Sequence, residues 1–339
     1  MHPSNTRLTS RLITRRTTIH LATILLALGA SLQAHAQAAW PGAKPITLIV
    51  PFGAGGNVDV TARLIGQKLS ERLKQSVVIE NAVGAGGTIG MEKAVRAAPD
   101  GYTLALGADS PVVIARLVNP AAVRYDGAKD LAAIGLVTTA PMVIVARPDL
   151  PANTLAEVLQ LARQKPGQLS YATSGVGSIL QLAMETIKEQ SKVFMVHVPY
   201  RGGAQIVTDV IGKQVDLAVV ISVTATPQIQ GKKLKAIAVT DDKRLPTLPD
   251  VPSVAETPGF KGFDMVSWTG LFAPAQTPPA IVERLNRELM EVLKADDVRA
   301  KLAEGGASPG TGSAADFSRF VQKEQARYAA IVKAANIKE

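Results

Sequence analysis

The sequence predicts an α/β fold of two domains facing one another across a ligand cleft. Three observations carry that reading. Short β-branched runs alternate with helical patterns along most of the chain. Glycine clusters stand where strands should end and helices begin. A proline-rich link, residues 246–258, precedes one more strand pattern that can return the chain to its first domain.

The N-terminus reads as an export signal. Arg7, Arg11, Arg15 and Arg16 precede an apolar run from Leu21 to Leu32, and Ala34-His35-Ala36 supplies a small-residue cleavage site. The run is short for a permanent bilayer span, so a tethering helix is the weaker alternative. Arg15-Arg16 also suggests the twin-arginine route, but Thr17-Thr18-Ile19 match it poorly and general secretion is favoured. Cleavage after Ala36 removes four arginines, leaves 303 residues in the periplasm and takes the formal charge from +9 to +5. His197 is then the single histidine in a chain without cysteine, which excludes disulfides, thiolate nucleophiles and Cys/His metal clusters. No cofactor or metal is expected. The positive charge is dispersed, without Lys/Arg runs; that argues against nucleic-acid binding and suits a small anion.

Ile46-Thr-Leu-Ile-Val50 opens the fold as a buried strand, and Val58, Ala62, Ile65, Leu69 and Leu73 follow at helical spacing. Residues 77–80 form the second strand, a short helix runs from Met91 to Ala98, and 102–106 form the third strand. A second set begins near Arg147: Thr154-Leu-Ala-Glu157 is a capping box, and that helix stops at Pro166-Gly167. Residues 169–173 are a strand, 179–190 a helix, and Val198-Pro-Tyr-Arg-Gly-Gly203 leads into another helix. Strands follow at 215–221 and 234–239, then a returning strand at 265–273. Two helices close the chain, one opened by Thr277-Pro-Pro and one by Ser313 with Asp316. The expected organisation is a signal peptide over 1–36, a discontinuous first domain of 37–143 plus 265–339, and a second domain of 144–264. The chain crosses between domains near Thr138–Arg147 and Phe263–Leu271.

Two loops carry the chemistry. Pro51-Phe-Gly-Ala-Gly-Gly-Asn-Val-Asp59 lacks Cβ atoms at Gly53, Gly55 and Gly56, so its backbone can approach a ligand, and the helix behind it aims a positive dipole end at the same place. The bland alternative is a turn and cap, with Asp59 complementing the dipole. Asn81-Ala-Val-Gly-Ala-Gly-Gly-Thr-Ile-Gly90 repeats the arrangement. Its glycine spacing fails the dinucleotide fingerprint. A third loop, Ser174-Gly-Val-Gly-Ser178, offers hydroxyls from the opposite wall. Arg201 can reach the cleft, or stand solvated beside it, and Phe52 and Tyr200 supply apolar walls. Trp268 reads as hinge or core packing. A periplasmic serine hydrolase or transferase using Ser174 or Ser178 with His197 is the alternative function, but Ser174–Ser178 is not G-x-S-x-G and no acidic orienter stands near His197 in sequence.

These residues resemble the Bug family, the periplasmic binding components of tripartite tricarboxylate transporters. The likeness runs through Ile46-Thr-Leu-Ile-Val-Pro-Phe with Gly55, Gly56, Asp59, Ala62 and Arg63; Asn81 with Gly84-Ala-Gly-Gly and Gly90; and Ala98-Pro-Asp-Gly-Tyr-Thr-Leu104. It continues through Ser174-Gly-x-Gly, Val198-Pro-Tyr-Arg-Gly, Asp209 to Asp216, Ala236-Ile-Ala-Val-Thr240 and Trp268 to Pro278. It implies a type II periplasmic binding protein-like fold whose domains close on a small carboxylate: a di- or tricarboxylate, an amino acid or an aromatic acid. Backbone amides and bridging waters hold the carboxylate in that family. Carried onto this chain, this points to Phe52, Ala54, Gly55, Gly56, Ala85, Gly86, Gly87 and Thr88, with Ser174, Gly175 and Ser178 facing them; Asp59 and Arg201 complete the expected ligand-binding set from the reading of the loops themselves. Asp109 and Ser110 join it because they abut the expected cleft. They begin a stretch, Asp109–Val112 with Ile114-Ala115, where the family usually has small polar residues and a histidine. Lys213 stands where a glycine is usual. The expected partners are the small acid and either membrane transporter subunits or a sensor-kinase ectodomain, with the receptor itself a monomer.

Overall fold

The computed structural model describes residues 40–42, 44–200 and 202–338; the expected signal peptide and Arg201 lie outside the described residues. Lys44–Glu339 form one compact unit, and every element below belongs to it. The strands are β1 (Ile46–Val50), β2 (Val77–Asn81), β3 (Thr103–Ala108), β4 (Leu131–Ala146), β5 (Ser170–Thr173), β6 (Val196–Pro199), β7 (Leu217–Ile221), β8 (Lys235–Val239), β9 (Val266–Pro274) and β10 (Ser308–Pro309). The helices are α1 (Asn57–Leu73), α2 (Thr88–Val95), α3 (Ala115–Val118), α4 (Leu155–Gln164), α5 (Ile179–Ser191), α6 (Gly203–Ile211), α7 (Ser222–Gln230), α8 (Pro279–Lys294), α9 (Asp296–Glu304) and α10 (Ala314–Ala334).

The strands run in the order β2-β1-β3-β9-β4-β7-β5-β6, with β8 and β10 also paired to β4. The fold is α/β, with two ladders that share β4. In the first ladder β1, β2 and β3 are parallel, and β9 runs antiparallel between β3 and β4. In the second, β5, β6 and β7 are parallel, while β4 runs antiparallel to β7 and β8. The changeover falls at one residue: Pro141 is the last partner of β9, opposite Val266, and Met142 is the first partner of β7, opposite Ile221. Proline has no N–H to give to a ladder, so it fits best where one ladder ends and the next begins.

The register sets the position of the cleft. Ala108 at the end of β3 is level with Thr269, which is level with Thr138, and Ile221 at the end of β7 is level with Met142. The carboxyl ends of both parallel sets therefore converge on the crossing, where open α/β sheets bind their ligands. Behind it the core is aromatic. Trp268 is 1% exposed, stands edge-on to Phe317 at 5.9 Å and Phe320 at 5.7 Å, and donates its indole N–H to the Tyr328 hydroxyl at 3.2 Å.

Thr154 and Ser313 cap their helices where the sequence placed them, but the capping box expected at Thr154 is not closed, since Glu157 bonds the Asn153 amide and not that of Thr154. Thr154 accepts from the Glu157 amide, Glu157 accepts from the Asn153 amide, and Ser313 with Asp316 closes a capping box at α10. Three features differ from expectation. The crossing expected near Thr138–Arg147 is made by a single 16-residue strand, β4, that the sequence pattern did not show. The short helix α3 follows a wide turn, Ser110–Ile114. The C-terminal pair is a trio, because Ala295 takes an extended conformation (ψ 134°) that separates α8 from α9.

Candidate ligand-binding cleft

The first loop continues β1 into α1. Residues 53–57 are exposed and Phe52 is half-buried. Its shape is held from within by Asp59, whose carboxylate accepts from the Gly55 amide at 2.9 Å, from Arg63 at 2.9 and 3.0 Å and from the Asn81 side-chain amide at 2.8 Å. Asn81 also donates to the Phe52 carbonyl at 2.9 Å, which ties the end of β2 to the loop that follows β1. The hydrogen bonds from Arg63 hold the Asp59 carboxyl well below the usual range, at about 2; burial opposes them, and Gly55 and Asn81 add to them. Asp59 is 1% exposed. With Gly55 committed to Asp59, and Gly56 to the Gly53 carbonyl, the amides of Gly53, Ala54, Asn57 and Val58 are left without an acceptor among the described residues.

The second loop lies against the first. Gly90 has no room for a side chain: a Cβ would stand 2.8 Å from the Pro51 Cα and 2.7 Å from the Ala82 carbonyl oxygen. A Cβ on Gly87 would meet both Pro51 and Pro111. Ala85, Gly86 and Gly87 all take positive φ (46°, 63° and 98°), which turns the chain tightly into α2. Ala85 and Gly86 are exposed, and their amides have no acceptor among the described residues; Thr88 donates its hydroxyl to the Ala85 carbonyl at 2.9 Å.

The helix starts at the cleft share a trait. Gly56, Gly87 and Gly202 are the N-caps of α1, α2 and α6, and these starts, like that of α7 after Ile221, have no side-chain cap among the described residues. α4 and α10 start on capping hydroxyls, while α3, α8 and α9 also lack a side-chain cap among the described residues. Uncapped N–H groups and an aligned dipole make each open start receptive to an anion.

α5 is the exception at the cleft. Ser178 caps it by accepting from the Gln181 amide at 3.3 Å, and donates to the Gly175 carbonyl at 2.8 Å. The Ser174 side chain is exposed, with no hydrogen bond among the described residues. His197 stacks on Tyr171 with centroids 5.0 Å apart and bonds Thr173 and Gln181 through its two ring nitrogens. Burial lowers its pKa. Both nitrogens are thus occupied by residues other than Ser174 or Ser178, so no serine–histidine pair is assembled.

Asp109 and Ser110 stand at the end of β3. Asp109 is 2% exposed and accepts from the Ser110 amide (2.6 Å), the Ser110 hydroxyl (2.9 Å), the Ser267 hydroxyl (2.7 Å) and the Trp268 amide (3.0 Å). Burial raises its pKa, against those four donors. Ser267 and Asn81 were not singled out as site residues by the sequence. Asn81 had a local signal, a polar side chain at a strand end; Ser267 lies 158 residues from its partner and had none.

A sequence profile for the family described as Tripartite tricarboxylate transporter family receptor matches residues 61–337. A Pseudomonas sp. (strain P51) protein described as a UPF0065 protein in the tcbD-tcbE intergenic region is 36% identical over 314 residues, 92% of each chain. The solved structure of Rpa4515 from R. palustris with adipate is 35% identical, with a TM-score of 0.80 over 88% of this chain and 99% of that one. MatC (Rpa3494) from Rhodopseudomonas palustris with bound malate is 33% identical, with a TM-score of 0.75 over 85% and 98%.

Proposed function

Since the chain belongs to the tripartite tricarboxylate transporter receptor family, and is a solute-binding protein of that kind, we propose that its ligand is a small dicarboxylate held by backbone amides of the two glycine loops. The observation that carries this reading is the set of amides at the exposed Gly53, Ala54, Asn57, Ala85 and Gly86 that have no acceptor among the described residues, beside glycine-capped helix starts. A carboxylate there accepts charge-assisted hydrogen bonds, each worth about 1.5–3 kcal/mol, without a cationic side chain. Arg63 is engaged with Asp59 and Asn81, which leaves the amides as the principal donors of the first loop. The adipate and malate of the two solved relatives share two carboxylates and differ in length. Asp59 acts on the ligand through the loop it braces, and Ser174 meets the far end from the second ladder.

The domains we assign are 37–143 with 265–339 and 144–264, hinged at the crossings of β4 and β9. The receptor works in the periplasm after cleavage behind Ala36 and delivers its ligand to membrane transporter subunits; it does no chemistry on it. Isothermal titration of residues 37–339 with adipate, malate and acetate tests the reading. Saturable one-to-one binding of a dicarboxylate, far tighter than acetate, is expected; no binding of either dicarboxylate overturns it.

A further inference from the structure

The start of α5 is closed by a side chain from the other ladder. Ser110 follows β3 in the first ladder, and its hydroxyl oxygen lies 3.3 Å from the amide of Ile179, the first residue of α5. The direction of this bond is fixed. A backbone N–H can only donate, so Ser110 accepts from Ile179 and its single proton is left for Asp109 at 2.9 Å. Asp109 in turn accepts on its other oxygen from Ser267 and Trp268, at the beginning of the returning strand β9. A continuous relay therefore runs from the crossing strand through a buried carboxylate and a hydroxyl to a helix in the second ladder.

Local groups take most other amides of this helix start: the Ser178 hydroxyl takes Gln181, its carbonyl takes Leu182, and the Gln181 side chain takes Gly177. Only Ile179 depends on a residue 69 positions away. Packing brings the same segments together, since a Cβ on Gly177 would stand 3.3 Å from Val118 of α3. By taking the Ser110 proton, Asp109 polarises the hydroxyl as an acceptor for Ile179.

We propose that Ser110 is a positioning residue of the binding site: with Asp109 behind it, it pins the start of α5 and sets where the Ser174–Ser178 wall stands relative to the glycine loops. The role in binding rests on the carboxylate-receptor reading; the pinning of α5 does not. One consequence for specificity follows. The Ile179 amide is spent on Ser110, so the far end of the ligand is met by Ser174 and the open starts of α6 and α7 instead.

The test compares Ser110→Ala and Ser110→Thr with the parent protein. In the ligand-free state, amide exchange at Ile179 is expected to rise at least fivefold in Ser110→Ala and to stay near the parent value in Ser110→Thr. Adipate affinity is expected to fall about fivefold in the first variant and to be retained in the second. Unchanged exchange at Ile179 in Ser110→Ala overturns the pin, whether or not any acid binds. Altered exchange with unchanged adipate affinity overturns its part in binding. A parent protein that binds no dicarboxylate defeats the receptor reading, while the exchange data still decide the pin.

Discussion

Two carboxylates near the cleft do opposite work because their donors differ. Asp59 is wrapped by a guanidinium, a side-chain amide and a backbone amide, and its pKa falls to about 2; Asp109 is sunk behind β9 among neutral donors, and burial raises it. A depressed carboxyl contributes stability that is present above its unfolded value of about 3.8 and is lost as pH falls through about 2. Thermal melts between pH 2 and 5 should show this loss in the parent and a flatter profile in Asp59→Asn. Asp59→Ala should destabilise the fold by about 1–3 kcal/mol, because it strands the Gly55 amide and the Asn81 side chain, and should weaken dicarboxylate binding about tenfold through a loosened loop. Chemical denaturation and calorimetry check the two parts separately.

At the scale of elements, the two loops meet because α2 approaches Pro51 without a side chain between them. Gly90→Ala should cost about 1–3 kcal/mol in chemical denaturation, since its Cβ meets backbone that cannot step aside. Lys213 presents the reverse case. It holds a left-handed conformation, φ 61°, at a place where a glycine is usual in the family it resembles, and its ammonium pairs with the exposed Asp149 at 2.9 Å. Lys213→Gly should raise stability by up to about 1 kcal/mol, as the surface pair is worth less than the conformational strain. The glycine loops and caps were legible because each announces itself within a few residues: Gly53 to Gly56 after a β-branched run, Thr154 three residues before Glu157. β4 was not. Gly135 and Pro141 interrupt its pattern, and its long pairing with β9 relies on partners more than a hundred residues away. The inward turn of Asp59 and the Asp109–Ser267 bond were hidden for the same reason: a side chain's partner is a property of the fold, not of its neighbours in sequence.

For the whole molecule, the crossing is where binding and stability meet. Thr240 at the end of β8 exchanges hydrogen bonds with Met142 of β4, and its carbonyl accepts the Met265 amide at 2.8 Å, so one residue ties both crossing strands. Beside it, burial pushes the Asp241 carboxyl up to about 6, helped by Asp242 and Asp264. A raised carboxyl contributes stability that is fully present below about pH 3.8 and is lost as pH rises through about 6. Asp241→Asn should therefore melt higher than the parent above pH 6 and alike near pH 4. Trp268 at the same crossing packs against Phe317 and Phe320 and bonds Tyr328, so a change in its fluorescence on ligand addition is the expected sign of movement there. The most direct test of the account is backbone amide exchange in residues 37–339 with and without saturating adipate. The account predicts that protection concentrates at residues 53–58 and 85–88; protection confined to other segments, with these loops unchanged, would contradict it.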